Sequence, residues 1–98
     1  MSKFGALIDD KLPVLLFFYT EWHEQSKTMH QVLRNVAEKV GDRAKVIKID
    51  LDKNPELGEA LRIKDLPAFM IYKKGEMKWR QSGEQDIDSL TGMINKYV

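Results

Sequence analysis

The stretch Phe17-Phe18-Tyr19-Thr20-Glu21-Trp22-His23-Glu24-Gln25-Ser26-Lys27 decides the fold. Its first half completes an unbroken apolar run, Val14-Leu15-Leu16-Phe17-Phe18-Tyr19, entered through Pro13. A run of this length without polar alternation predicts a strand covered on both faces, as in the parallel sheets of α/β proteins. Its second half changes period. From Glu24 onward, Met29, Val32, Leu33, Val36, Ala37 and Val40 recur at helical spacing, and Gly41 ends the helix. The chain passes from a buried strand through a short polar turn into a long helix, with Trp22, His23, Glu24 and Ser26 at the junction.

Working outward, residues 3–10 predict one or two helical turns with Phe4, Leu7 and Ile8 on one face. The segment Lys45-Val46-Ile47-Lys48-Ile49-Asp50-Leu51 alternates and is β-branched, which predicts a second strand over 45–51. Asn54-Pro55 opens a short helix with proline at a favoured first position and Leu57, Ala60 and Leu61 inward. Strands over 68–73 and 77–82 flank Lys74-Gly75, a hairpin turn. Ile87, Leu90, Met93, Ile94 and Tyr97 mark a closing helix that starts near Asp86. Met29, Met70, Met77 and Met93 read as core or near-core filler. The helix between the first two strands requires them to be parallel, with a right-handed crossover. The fold class is therefore α/β, one domain over 1–98.

Composition removes several function classes. With 98 residues, 43% apolar and 32% charged, the chain has the balance of a compact soluble domain rather than a disordered one. A net charge of +1 supplies no global field for nucleic acid or anionic membrane. Val14–Tyr19 is far shorter than the about 20 residues a membrane helix needs. Asp9, Asp10, Lys11 and Pro13 interrupt what a secretory leader would keep apolar, so a cytoplasmic location is expected. There is no cysteine, which excludes disulfides, thiolate metal sites and thiol mechanisms. The only histidines, His23 and His30, lie seven positions apart, a rise of about 10.5 Å at about 1.5 Å per residue. They cannot share one ion, and no metal or cofactor is expected. Trp79 among Lys73, Lys74, Lys78 and Arg80 reads as an edge residue covering the core, not as a nucleic-acid stacking platform.

A second segment, Leu66-Pro67-Ala68-Phe69-Met70-Ile71-Tyr72-Lys73-Lys74-Gly75, completes a pattern. Together with Trp22–Lys27 it resembles the thioredoxin family, whose signature is Trp-Cys-Gly-Pro-Cys-Lys after a strand, faced by a cis-proline. The resemblance spans nearly the whole chain and implies a thioredoxin fold: a central four-stranded mixed sheet flanked by helices, with the family's N-terminal strand missing or very short. That would leave 45–51 as a sheet edge, open to weak pairing with a second copy. His23 and Ser26 occupy the two cysteine positions. Phe17 occupies the position of the family's buried proton-relay aspartate, and Lys48 that of the lysine beside it. Gln25 replaces the proline between the cysteines. Gln31 stands near the point where many members have a kinking proline, which predicts a straighter helix.

The resemblance implies that dithiol–disulfide chemistry is lost while the peptide-docking surface remains, lined by Trp22, His23, Glu24, Leu66, Pro67 and Gly83, the glycine keeping the groove floor open. The expected function is a peptide- or protein-binding module without oxidoreductase activity, a monomer or weak homodimer. The alternatives are a member of a redox system acting with a cysteine-bearing partner, or an enzyme of altered chemistry. The last requires His23 and Ser26 to hydrogen bond across one helical turn, with an orienting acid such as Glu21 or Glu24. Otherwise His23 and Ser26 are exposed polar residues opening a helix, the serine serving its free N–H groups.

Overall fold

The structure is a computed structural model in which residues 3–98 are described. The elements follow in the order α1 (Lys3–Ile8), β1 (Val14–Tyr19), α2 (Glu24–Val40), β2 (Lys45–Asp50), α3 (Pro55–Ala60), β3 (Ala68–Lys73), β4 (Glu76–Ser82) and α4 (Ile87–Asn95). The strands form one sheet in the order β2-β1-β3-β4. β1 pairs parallel with β2 and antiparallel with β3, and β3 pairs antiparallel with β4.

The apolar run of β1 is central because it must be covered twice. Leu15 and Phe17 join Phe69 and Ile71 of β3 beneath α2 and α4, against Met29, Leu33, Val36, Leu90 and Ile94. Val14, Leu16 and Phe18 join Met70 and Tyr72 on the other face, where Ile8 of α1 is buried and Leu57 and Leu61 pack alongside. One strand thus feeds two cores, which is why it carries no polar alternation.

Local chemistry sets the element ends. Gly41 stops α2 with φ 54°, donating its N–H to Ala37 O, and a 3-10 turn over Gly41–Arg43 follows. Lys74 and Gly75 both adopt positive φ, 54° and 81°, as a tight hairpin turn between β3 and β4 requires. Asp86 caps α4 by accepting a hydrogen bond from Ser89 N–H at 2.7 Å.

Several expectations need correcting. The first helix stops at Ile8; Phe4 and Ile8 turn inward, whereas Leu7 is 40% exposed. Leu51 leaves β2 for a turn in which its C=O accepts from Asn54 N–H at 3.3 Å. Met77 is exposed, because β4 is an edge strand with a register shift opposite Ile71/Tyr72. As expected, among the described residues no strand precedes β1, and β2 is an edge. Trp79 is half-buried against the α2/α4 core. No helix among the described residues is long and apolar enough to cross a membrane.

Candidate functional site

The turn after β1 brings the chain into α2 at His23, whose extended backbone (φ −89°, ψ 114°) makes it the N-cap residue. Its C=O accepts from Ser26 N–H at 3.0 Å and from Lys27 N–H at 3.3 Å. No side chain caps the helix. Among the described residues, the N–H groups of Glu24 and Gln25 have no hydrogen-bond partner, so the positive end of a 17-residue helix is open there. Trp22, immediately before it, is 85% exposed.

Ser26 departs from expectation. It is fully buried, and its Oγ has no hydrogen-bond partner. Ser26, Met29, Leu33, Val36 and Val40 form one buried stripe along α2, so helical periodicity carries the serine onto the sheet-facing side rather than to solvent. The same geometry removes the dyad: His23 is half-buried, its Nδ1 is likewise unpartnered, and no hydrogen bond joins the His23 and Ser26 side chains. A serine activated by histidine needs that bond. Glu24 faces solvent and pairs with Lys27 at 3.5 Å instead of orienting His23.

Opposite this helix end lies the turn into β3. The Leu66–Pro67 bond is cis, Pro67 is buried, and Pro67 C=O accepts from Gly83 N–H at 2.8 Å. The N–H and C=O of Leu66 have no partner among the described residues. Gly83 has φ +93°, and an added Cβ would meet open space, so the glycine serves the backbone conformation. His23, Gln25, Lys64, Asp65, Leu66, Ser82 and Gly83 together line a groove of about 510 Å³. Of the residues expected to form the site, His23, Leu66 and Gly83 therefore converge, while Trp22, Glu24 and Pro67 border the groove without lining it. Gln25, Lys64, Asp65 and Ser82 were missed. Their sequence signal was only adjacency to His23, Leu66 and Gly83. Among the described residues no group of three or more His, Cys, Asp or Glu side chains could hold a metal.

Phe17, expected from the resemblance to stand at the relay-aspartate position, is fully buried and stacked on Tyr19 and on Phe69 with ring centroids 5.3 Å apart in each case. His30 of α2 stands edge-on to Phe17 at 5.3 Å and to Tyr19 at 4.7 Å.

The comparisons with known proteins agree with this geometry. The sequence profile of the family described as Thioredoxin matches residues 1–96. Thioredoxin from Rickettsia prowazekii (strain Madrid E) is 30% identical over 94 residues, spanning 96% of this chain and 90% of the relative. The chain belongs to the thioredoxin family. A mutant thioredoxin from Halobacterium salinarum NRC-1 superposes with a TM-score of 0.88 at 29% identity, over 99% of this chain and 84% of that one. Chloroplastic thioredoxin z gives 0.84 at 27% identity, over 94% of this chain and 83% of its own. The present chain keeps the thioredoxin fold without a single cysteine.

The aromatic setting of His30 gives this family member a pH dependence. Burial, and then the positive charge of Lys48, hold the His30 pKa below its ordinary value near 6.5. The unfolded chain therefore binds a proton more readily than the folded one, and stability falls as pH drops from the unfolded value through the folded one. Urea midpoints measured between pH 7.5 and 5 should decline, and His30→Phe should flatten the decline. An equal decline in the variant would assign it to other groups.

Proposed function

We propose that this chain is a thioredoxin-family binding module that docks an extended peptide segment in the groove between the start of α2 and the Leu66–Pro67 turn, without dithiol exchange. One observation carries the reading: the groove between the start of α2 and the Leu66–Pro67 turn is present in a chain with no cysteine, and the family resemblance implies that His23 and Ser26 stand where the sulfurs would be. Thiol–disulfide exchange proceeds by thiolate attack on sulfur, and neither an imidazole nor a buried serine hydroxyl forms the mixed disulfide. Three features favour an extended peptide as occupant. The Leu66 N–H and C=O are free to pair with it as a strand does, Gly83 leaves the floor open, and Trp22 offers an exposed aromatic anchor at the rim. Chloroplastic thioredoxin z, a structural relative, is described as having type-specific target recognition, which accords with selectivity residing in groove residues such as Lys64 and Asp65.

Two measurements test the proposal. Insulin reduction by dithiothreitol should run at the same rate with and without this protein, and acceleration would overturn the redox-inactive reading. Binding to a peptide array should fall at least about tenfold, about 1.4 kcal/mol, in Trp22→Ala. Retention of every bound peptide by Trp22→Ala and by Leu66→Asp would remove the groove from consideration.

A further inference from the structure

The β2 edge carries a pattern of its own. Lys45 N–H donates to Pro13 O at 3.0 Å, and Leu51 N–H donates to Tyr19 O at 2.9 Å. In this parallel ladder the odd-numbered residues of β2 therefore point their N–H and C=O groups at β1, and Val46, Lys48 and Asp50 point theirs outward. The Asp50 C=O is occupied twice, by Asn54 Nδ2 at 2.9 Å and by Lys53 N–H at 3.2 Å. The outward N–H and C=O groups of Val46 and Lys48 have no partner among the described residues. Two donors and two acceptors thus stand in a row on an unprotected strand.

We propose that this edge is a self-association surface, and that two copies of the chain pair their β2 strands antiparallel about a two-fold axis at Ile47. A two-fold axis normal to the sheet preserves faces, so only residues of equal parity can lie opposite each other. Centring on Ile47 sets Val46 opposite Lys48 of the second copy, and the converse. Each such pair exchanges two N–H···O bonds, so the free groups of both Val46 and Lys48 are all used. Centring on Lys48 instead would place two ammonium-bearing side chains directly opposite one another. The charge pattern therefore favours the Ile47-centred register over the Lys48-centred one. With Ile47 at the axis, Lys45 faces Ile49, Lys48 faces Val46 and Asp50 faces Ala44, and no like charges oppose.

The apolar surface agrees. On the α1/α3 side, Ile47 and Ile49 form part of a groove of about 800 Å³ bordered by Phe4, Leu7, Leu57 and Leu61. The Ile47 pair would extend that apolar strip across the axis. The occupant is a second copy because the strand's own free donors and acceptors match each other under the two-fold and no like charges are opposed.

The absence of native cysteine makes the test clean. Sedimentation velocity on the unmodified chain from micromolar to millimolar concentration should show a concentration-dependent shift from monomer to dimer. Diamide oxidation of Ile47→Cys should yield the intermolecular disulfide at least about tenfold faster than Lys48→Cys. Opposed Cα atoms in a non-hydrogen-bonded pair lie about 4.5 Å apart, within disulfide reach, whereas the two Lys48 positions are diagonal and beyond about 7 Å. A monomer at every concentration would overturn the pairing. Equal or faster linkage at position 48 would overturn the register.

Discussion

Phe17→Asp, which puts into β1 the residue type that the family resemblance implies at this position, should remove most of the stability of this protein at neutral pH. Phe17 is fully buried, stacked between Tyr19 and Phe69 and met edge-on by His30. Removing a buried aromatic ring costs about 3–5 kcal/mol, and a carboxylate left in its place adds the desolvation of a charge. Domains of this kind have only about 5–15 kcal/mol in total. Lys48 is the register partner of Phe17 on β2, but it is exposed at the sheet edge and does not lie in the cavity. Burial would push the new carboxyl upward, so the folded state would hold its proton to higher pH than the unfolded state. The deficit should therefore be greater at pH 7 than at pH 5. Urea unfolding followed by tryptophan fluorescence reads both effects. A midpoint at pH 7 equal to that of the unmodified chain would show that the aromatic stack contributes nothing.

Restoring sulfur alone should restore a disulfide but not full catalysis. In the double variant His23→Cys/Ser26→Cys, the two sulfurs stand one helical turn apart, where Cβ atoms lie about 5–6 Å from each other, close enough to bridge after a small adjustment. The unpartnered N–H groups of Glu24 and Gln25 favour a thiolate at position 23, holding its pKa below that of a free cysteine. Position 26 is buried without a hydrogen bond, a setting that suits cysteine better than serine. Mild oxidation should consume both thiols as an intramolecular disulfide, and insulin reduction should rise above the dithiothreitol background. Turnover should remain about 10²-fold or more below that of a thioredoxin with its relay aspartate, because Phe17 cannot take a proton from the second thiol. Two free thiols persisting under oxidant would show that the first turn of α2 does not have the geometry described.

These two variants mark how far the site has moved from the family's chemistry. Exchange at 23 and 26 alters two residues at the rim. Exchange at 17 alters the packing of an aromatic cluster that Phe17 forms with Tyr19, Phe69 and His30. Sulfur can be put back without rebuilding the core, but the proton relay cannot.

Much of the architecture was legible because it rests on local rules. The β1 run and the α2 stripe announce themselves by period, Gly41 and Gly75 by the positive φ their turns require, and Asp86 by its cap. Boundaries were less legible. Leu51 continues the alternation of β2, yet the Asp50 and Asn54 side chains turn the chain there through hydrogen bonds to Asp52 N–H and Asp50 C=O. Leu7 shares a helical face with Phe4, but a two-turn helix can bury only a narrow strip against the sheet.

The order of residues by itself settled which segments are strands and helices and that no thiol chemistry is available. Periodicity, composition and turn chemistry act within a few residues, so they can be read along the chain. Only the tertiary structure decided that the Ser26 hydroxyl faces inward unpartnered, that the His23 side chain makes no bond to it, that Lys64 and Ser82 meet in one groove, and that Val46 and Lys48 present free backbone groups at an edge. Each of these depends on which surfaces of distant segments are pressed together, and that is fixed by packing across the sheet rather than by any local pattern.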